Sequence, residues 1–273
     1  MRRMWNRPYV PRLRSGELPW MPAEASLTGL APGTQLRVLS RDPADGAMSC
    51  LWRIPPGWSQ ALPFALAADA ELFVLEGSLL ENGQSLHGGA YLHRPAGMAF
   101  PWLASRDGAT LYAMWSATPA LREVTAEGQR AAEAARVVPA DGGIALTDST
   151  PPGTWIDTGG MAEHPTPVHG PPAGISVRIL RRDATTGGMT LIVSIEGSWE
   201  ETRSEHHDCV EESFKLSGDI WLRENQRPHV LEAGDYFFRP PRIKHGPMRT
   251  QKGTTSLIRF SGTVVNHYGP IVD

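Results

Sequence analysis

The sequence predicts an all-β protein built from two tandem barrels, and three observations support this prediction. The 28 glycines and 24 prolines interrupt the 273 residues too often for a helical protein. Apolar segments such as 189–195 have the length of strands and are rich in β-branched residues. The third observation is an internal repeat, in which residues 36–42 match residues 177–183 at an offset of 141 (178 minus 37 for the paired arginines).

The repeat continues through both copies and sets the domain boundaries. Trp58 falls on Trp199, and residues 71–77 fall on 212–218, at the same offset of 141. Residues 89–95 fall on 234–240 at an offset of 145 (234 minus 89), which indicates a short loop insertion in the second copy. We therefore predict an amino-terminal arm (1–30), a first barrel (31–118), a linker in which a short helix can form (119–171), a second barrel (172–262) and a carboxy-terminal tail (263–273).

Composition and charge exclude several classes of function. Lysine and arginine total 26 against 29 aspartates and glutamates, so there is no electrostatic basis for binding nucleic acid or an anionic membrane. The basic start of the chain is not followed by an apolar segment, which predicts neither a signal peptide nor a membrane anchor. Cys50 and Cys209 lie in different copies, so a disulfide scaffold is not expected and a cytoplasmic location is favoured.

Two segments of the second copy carry residue types that bind metal ions. Residues 204–212 form an acidic stretch with histidines that leads into a predicted strand, and His245 follows a strand and proline turn at 234–241. Imidazole and carboxylate groups delivered from two hairpins can form a metal site with an open face. Alternation along the first strand places Glu205 and His207 on one face and His206 on the other.

The first copy lacks this polar set. Polar positions of the second copy that should face inward match apolar positions of the first, and the pairs are Glu205/Phe64, His207/Leu66, Glu211/Ala70, Ser213/Leu72, Lys215/Val74 and His245/Phe100. A buried polar side chain is costly unless it is paired or binds a ligand. We therefore predict that the second barrel is the functional one and that the first is structural or part of a dimer interface.

The two motifs resemble those of the cupin family. The pattern Gly234-x5-Pro240-x-Arg242-x2-His245 is similar to the second cupin motif, with Arg242 where that family usually has glycine. Glu211, followed by six residues and a glycine, resembles the end of the first motif. The wider pattern is similar to ChrR-like cupins and to bicupins of unknown function. This resemblance implies a jelly-roll barrel for each copy and a divalent metal inside the second.

The resemblance also implies a ligand set. Carried over position by position, the ligands are Glu205, His207, Glu211 and His245, with Glu205 where the family usually has its first histidine. Iron(II), which we favour, and zinc, manganese, nickel or cobalt suit such ligands. If Glu205 stays off the metal, it is free to act as a general base beside a set of two histidines and one carboxylate. Lys215, the other catalytic candidate, can anchor an anionic substrate or steady Glu211.

Several alternatives stay open on the sequence alone. A register one residue earlier selects Ser204, His206 and either Glu212 or Glu211 as the inward set. The acidic stretch can also be a solvated loop without a ligand. His164 and His169 are interpreted as surface residues of the linker. The remaining histidines have no partner pattern and are interpreted as structural, namely His87, His93, His229 and His267.

The favoured function is an iron(II) dioxygenase that acts on a ketone or diketone, because the nearest enzymes suggested by the resemblance cleave such compounds. A non-redox isomerase, cyclase or lyase with the same metal is one alternative, and a binding module that senses a metal or ligand is another. A small-molecule substrate and a homodimer are the expected partners, without nucleic acid or membrane.

Overall fold

The computed structural model describes residues 6–27, 29–60, 63–134, 137–138, 156–157 and 174–270. The chain forms two compact units. The first contains Asn6 and the described residues of 17–143, and the second contains residues 7–16 and the described residues of 144–270. Both consist mainly of antiparallel strands, which confirms the predicted all-β class of two tandem cupin barrels. His164 and His169 lie outside the described residues.

The strands are mostly short, and turns rich in glycine and proline separate them. In chain order they are β1 (Val10–Arg14), β2 (Met21–Pro22), β3 (Gln35–Arg41), β4 (Met48–Ile54), β5 (Trp58–Gln60), β6 (Phe64–Leu66), β7 (Ala70–Glu81), β8 (Gln84–His87), β9 (Tyr91–Arg94), β10 (Ala99–Phe100), β11 (Leu103–Ser105), β12 (Ala109–Trp115), β13 (Leu121–Arg122), β14 (Val137–Val138), β15 (Ile156–Asp157), β16 (Ile175–Arg182), β17 (Met189–Ile195), β18 (Trp199–Glu201), β19 (Ser204–His207), β20 (Glu211–Glu224), β21 (Arg227–Glu232), β22 (Asp235–Arg239), β23 (His245–Thr250), β24 (Thr254–Phe260) and β25 (Asn266–Gly269). Two 3-10 turns lie at Ser15–Glu17 and Ala23–Ala25.

The linker contributes an α-helix, α1 (Ala126–Ala134), to the first unit. Thr125 caps its start, because the Thr125 side-chain oxygen accepts a hydrogen bond of 3.0 Å from the backbone N–H of Gly128. A Cβ at Gly128 would lie 2.3 Å from the carbonyl oxygen of Gly97, so the close approach of helix and loop explains the glycine inside the helix. No helix in the described part of the chain is long and apolar enough to cross a membrane.

Each unit curls its strands around its own interior. In the second unit the sheet runs in the order β15-β16-β17-β24-β20-β23-β19-β25, and β22 pairs with β20. Strand β1 extends this sheet by pairing with β22, with Leu13 opposite Tyr236. In the first unit the sheets run in the orders β14-β9-β7-β12-β4-β3-β2 and β10-β6-β13. The sequence places β1 in an arm, whereas the structure makes it a strand of the second unit.

The two units repeat each other in backbone detail as well as in sequence. A β-bulge interrupts the pairing of β3 with β4 between Val38 and Ser40. The pairing of β16 with β17 is interrupted between Ile179 and Arg181, which is the same place after an offset of 141 (179 minus 38). A bulge redirects the side chains that follow it. The shared bulge therefore keeps equivalent residues facing the interior in both copies.

A glycine turns the long strand of each copy from one sheet partner to the next. Gly77 in β7 and Gly218 in β20 have φ of +74° and +71°. A Cβ at these positions would lie 2.1 Å from the carbonyl oxygen of Gly108 and 2.0 Å from that of Gly253. At Gly218 the strand passes from β24 to β21 as its partner. No side chain fits at either position, because the backbone conformation and the close contact both require glycine.

The interior of the first barrel is apolar where the second is polar. The apolar counterparts of the predicted site residues all belong to one buried cluster, and they are Phe64, Leu66, Ala70, Leu72, Val74 and Phe100. The rings of Phe64 and Phe100 stack with centroids 4.8 Å apart. Side chains therefore fill the space that corresponds to the predicted metal centre.

We expect Phe100→Ala to destabilise the first unit by about 3 to 5 kcal/mol, because Phe100 is fully buried and its loss leaves a cavity beside Phe64. Metal content should not change, because the predicted ligands lie in the other unit. Chemical denaturation and elemental analysis of the same preparation measure both quantities. A folded variant with less metal would show that the first barrel contributes to metal binding.

Candidate metal centre

A cavity of about 220 Å³ lies inside the second barrel. Most of its wall is apolar, with side chains from β16, β17, β20 and β24 among others. The polar and charged residues that also line it are Arg182, Glu201, Glu205, His207, Glu211, Ser213, Lys215, Arg239, His245, Ser256, Asn266 and Tyr268. An apolar cavity with a few converging polar groups is the usual form of a small-molecule site.

Strands β19, β20 and β23 bring the four predicted ligands to this cavity. Glu205 and His207 lie on β19, Glu211 begins β20, and His245 begins β23 opposite Glu205. Ligand atoms of Glu205, His207 and His245 lie within 4.8 Å of one another. The Glu211 Oε2 atom lies 3.6 Å from His207 Nε2 and 3.8 Å from His245 Nε2. Glu205, His207 and His245 therefore form one compact group of ligands, and Glu211 approaches both of its imidazoles.

The alternative register does not gather a comparable set. Ser204, His206 and Glu212 are not among the described residues that line the cavity. Ser204 donates its hydroxyl to backbone oxygens at the end of β25. Glu212 accepts hydrogen bonds from the Tyr236 hydroxyl at 2.7 Å and from Arg7 Nη1 at 3.0 Å. His206 faces away from the cavity, as alternation along β19 requires.

Burial also argues against a solvated acidic loop. His207, Glu211 and His245 are 7%, 6% and 2% exposed, respectively. The Glu205 side chain is only 13% exposed. Charged and polar groups at such depth need partners or a ligand.

The two imidazoles are arranged to bind a metal through Nε2. His245 Nδ1 lies 3.2 Å from the carbonyl oxygen of Ile243, an acceptor that fixes the proton on Nδ1 and leaves Nε2 free to ligate. Among the described residues, the buried Nδ1 of His207 has no hydrogen-bond partner. Burial lowers the pKa of His207, so its imidazole stays neutral as ligation requires. This donor set fits a divalent metal ion.

Both carboxylates are ionised at neutral pH. Burial by itself raises the pKa of Glu211, but Arg239, His245 and His207 outweigh this effect and lower the pKa to about 2. Burial likewise raises the pKa of Glu205, and the nearby imidazoles outweigh this effect and lower it, His245 first with its Nε2 at 3.3 Å from Glu205 Oε1. Tyr268 of β25 lies directly opposite Glu205 in the pairing with β19 and lines the same cavity. The centre therefore offers two anionic ligands.

Arg239 holds Glu211 in place, a role that the sequence interpretation missed. Its Nη1 donates to Glu211 Oε2 at 2.8 Å, and its Nε and Nη2 donate to Glu224 Oε2 at 3.0 and 2.9 Å. Glu224 also accepts a hydrogen bond from the hydroxyl of Tyr9, the residue before β1. A chain of contacts thus runs from Tyr9 through Glu224 and Arg239 to a predicted ligand.

The same buried pair occurs in the first barrel without a ligand beside it. Arg94 donates to Glu81 there, at the positions equivalent to Arg239 and Glu224. Ala70 stands where the second barrel has Glu211. The arginine–glutamate pair therefore belongs to the duplicated fold, and in the second barrel it also orients Glu211.

Arg242, at the motif position where glycine is usual, adopts a backbone conformation typical of glycine. Its φ of +68° lies in the left-handed region that favours glycine. Its backbone N–H donates to the carbonyl oxygen of His207 at 2.8 Å. A residue in this conformation costs about 1 to 3 kcal/mol. The hydrogen bond ties the loop before His245 to the strand that carries His207.

Lys215 and Ser213 form a second polar group in the cavity wall. Lys215 Nζ donates to Ser256 Oγ at 2.8 Å and to Thr254 Oγ1 at 3.3 Å. No carboxylate of the described residues lies within ion-pair distance of this Nζ, and the buried Ser213 Oγ has no hydrogen-bond partner among them. Burial, reinforced by Arg239, lowers the pKa of Lys215 to about 7. These two side chains are available to a ligand.

Strand β25, in the predicted tail, supplies residues that the sequence interpretation also missed. Asn266 and Tyr268 line the cavity, and His267 between them faces the opposite way. The sequence shows no partner pattern for His267, but its Nε2 lies 2.7 Å from Asp208 Oδ2 and its ring stacks on His206. The alternating polar pattern of residues 266–268 was the available signal.

Comparisons with known proteins agree with this architecture. A family model described as "Domain of unknown function (DUF4437)" matches residues 13–267. A candidate dioxygenase of Nostoc punctiforme PCC 73102 has a similar structure, with a TM-score of 0.73 and 16% identity over 97% of this chain and 93% of that one. Oxalate decarboxylase of Bacillus subtilis gives a TM-score of 0.56 and 14% identity over 97% and 80%. At such identities the likeness shows the fold alone.

Curated relatives match a smaller part of the chain. They include 3-hydroxyanthranilate 3,4-dioxygenase of Shewanella woodyi, 36% identical over 73 residues, which is 25% of this chain and 39% of that protein. The enzyme of the same name from Burkholderia cenocepacia is 34% identical over 83 residues, or 27% of this chain and 47% of that protein. The chain thus spans less than half the length of these curated relatives.

Proposed function

The chain belongs to the DUF4437 family, and we propose that its second barrel is a metal-dependent enzyme site that acts on a small organic molecule. The observation that carries this proposal is the convergence of Glu205, His207, Glu211 and His245 in a buried cavity. The favoured reaction is an iron(II)-dependent dioxygenation. The relatives named as dioxygenases support it, and the resemblance to ChrR-like cupins favours ketones and diketones as substrates.

The four residues hold the metal, and the surrounding side chains keep them ready to ligate. Iron(II), when bound, would supply the redox centre at which dioxygen and an organic substrate react. Arg239 keeps Glu211 ionised and aimed at the two imidazoles. The carbonyl oxygen of Ile243 orients His245 by accepting a hydrogen bond from its Nδ1–H.

Glu205 and Lys215 act on the substrate. Glu205 is ionised and faces the cavity opposite Tyr268, so it can accept a substrate proton as well as ligate. Lys215, with Ser213 beside it, binds an anionic or carbonyl oxygen of the substrate. The apolar wall excludes water and receives the body of the molecule.

A non-redox isomerase, cyclase or lyase is the second candidate. The placement of ionised Glu205 opposite Tyr268 in the cavity wall favours it, because a carboxylate and a phenol can exchange a proton with a carbonyl compound. Glu205→Gln separates the two roles of Glu205. Retained metal with lost turnover indicates a base, and lost metal indicates a ligand.

Elemental analysis after dialysis, followed by oxygen uptake of anaerobically iron-loaded protein, tests the proposal. The substrates are β-diketones, aryl ketones and 3-hydroxyanthranilate, and His245→Ala is the control. We expect the parent to hold one metal ion per chain more than the variant, and we expect substrate-dependent oxygen uptake by the parent. Substrate conversion without oxygen uptake would favour the second candidate. Equal metal in both proteins would refute the site.

A homodimer stays a prediction for this protein. Sedimentation equilibrium of the full chain checks it, with a mass near 59.6 kDa expected (twice 29.8 kDa).

A further inference from the structure

The opposite face of the strands that carry the candidate centre holds a separate cluster of ligand residues. We propose that His206, Asp208 and His267 form a second metal site, which takes a borderline divalent ion such as zinc, nickel or copper(II). This inference does not depend on the proposed function. None of the three residues is among the described residues that line the cavity.

Strand pairing brings the three side chains to one face. His206 of β19 lies directly opposite His267 of β25 in an antiparallel pair, and Asp208 follows two residues after His206. The imidazole rings stack with centroids 4.8 Å apart and planes 16° apart. His267 Nε2 lies 2.7 Å from Asp208 Oδ2, and one ligand atom of each residue lies within 4.8 Å of the others.

These separations suit a shared ion. Ligands bound about 2.1 Å from an ion lie roughly 3 to 3.5 Å apart, so small side-chain rotations complete the site. Two imidazoles and a carboxylate leave an open position for water and select zinc, nickel or copper(II) over magnesium or calcium. Partial exposure of the histidines gives the ion an entry path without opening the barrel.

The first barrel lacks this cluster at the equivalent place. There β13 pairs with β6 and sets Arg122 opposite Ala65. Ala65 is the counterpart of His206 (206 minus 65, or 141), and Arg122 is the counterpart of His267 (267 minus 122, or 145). The fold therefore does not require polar residues on this face. Both the candidate centre in the cavity and this outer cluster of ligand residues lie in the second barrel.

An arginine competes with an ion for Asp208, but weakly. Arg242 Nε lies 3.4 Å from Asp208 Oδ1, and the two side chains are 78% and 47% exposed. Ion pairs between exposed side chains are weak, because water screens both charges. Arg242 contacts Oδ1, whereas His267 contacts Oδ2, so the oxygen that faces the imidazoles is not the one that the arginine holds.

An ion at this face would pin the strand that closes the cavity. Strand β25 pairs with β19, and its Asn266 and Tyr268 line the cavity from the inner side. An ion that joins His267 of β25 to His206 and Asp208 would therefore hold β25 against β19, and with it Tyr268 opposite Glu205. We expect bound ion to raise the thermal stability of the second unit.

Titration calorimetry with zinc and with nickel tests the inference in the full chain after chelator treatment. We expect two ions per chain in the parent and one in the double variant His206→Gln/His267→Gln. His245→Ala should retain the outer ion, and His87→Gln, an exposed histidine of the first barrel, should behave as the parent.

The double variant and His245→Ala give separate readouts. An unchanged stoichiometry in His206→Gln/His267→Gln would overturn the inference. So would the absence of binding to folded His245→Ala, because the outer site needs no inner ligand. A parent that binds a single ion, which the double variant loses and His245→Ala retains, would refute the proposed function and leave this second site intact. Circular dichroism of each variant verifies that it is folded.

Discussion

Arg239→Met will destabilise the second unit strongly and weaken its hold on the metal. Arg239 is 4% exposed and donates to both Glu211 and Glu224. Removing the guanidinium leaves two buried carboxylates without their cation, which typically costs about 3 to 5 kcal/mol. The carboxylate of Glu211 also loses the donor that aims it at His207 and His245.

Acid should release the metal from this variant at a higher pH than from the parent. Arg239 helps to lower the pKa of Glu211 to about 2 from an ordinary value of 4.5. The ionised form therefore stabilises the fold fully above about pH 4.5, and this contribution is lost as the pH falls towards 2. Without Arg239 the pKa of Glu211 rises, so protonation removes a ligand at a milder pH.

Arg94→Met is the matched control. Arg94 forms the equivalent buried pair with Glu81, but Ala70 stands in the place of Glu211. We expect a similar loss of stability in the first unit and no loss of metal. Denaturant unfolding and metal content as a function of pH measure both effects. Equal metal retention by folded Arg239→Met and Arg94→Met would mean that the arginine does not orient the ligand.

The fold could be predicted because it is specified by local sequence patterns, and the internal repeat shows each of these patterns in two copies. Gly77 and Gly218 mark the same turn between sheet partners, and the repeat exposed them without any three-dimensional information. The side-chain alternation of β19 was equally local. Strand period alone separates Glu205 and His207 from His206.

The rest of the centre depends on pairings between distant segments. Arg239 reaches Glu224 and Glu211 across neighbouring strands, and no spacing in the sequence indicates those contacts. The equivalent pairs Arg94–Glu81 and Arg239–Glu224 show, once the contacts are known, that the pair belongs to the duplicated fold. Strand β25 has a structural equivalent in β13 but little sequence likeness to it, so Tyr268 was not recognised.

Lys215→Met will stabilise the second unit at neutral pH. Burial, with Arg239, lowers the pKa of Lys215 from 10.5 to about 7. Between these values the unfolded chain binds a proton that the folded chain has released, so the stability of the parent rises with pH across this window. Below pH 7 the destabilisation is complete, and a shift of 10.5 minus 7 corresponds to roughly 4 to 5 kcal/mol.

Methionine removes this penalty because it fills a similar volume without a charge. Loss of the hydrogen bonds to Ser256 and Thr254 costs about 1 kcal/mol each. We therefore expect the free energy of unfolding to rise by about 2 to 3 kcal/mol at pH 7. The variant should also lose the rise in stability between pH 7 and 10.5. Denaturant unfolding across this range measures both effects, with the exposed Lys252→Met as the control.

A gain in stability joined to a loss of function would identify Lys215 as a substrate-binding residue. The metal should remain in Lys215→Met, because Lys215 Nζ contacts hydroxyl groups and none of the predicted ligands. The KM for an anionic substrate should rise, since the cation that pairs with it is gone. If Lys215 instead steadies Glu211, the variant will be less stable and will lose metal. A buried charge that destabilises the fold is kept in natural sequences where function requires it. In the first barrel, which has no candidate centre, Val74 fills the position equivalent to Lys215.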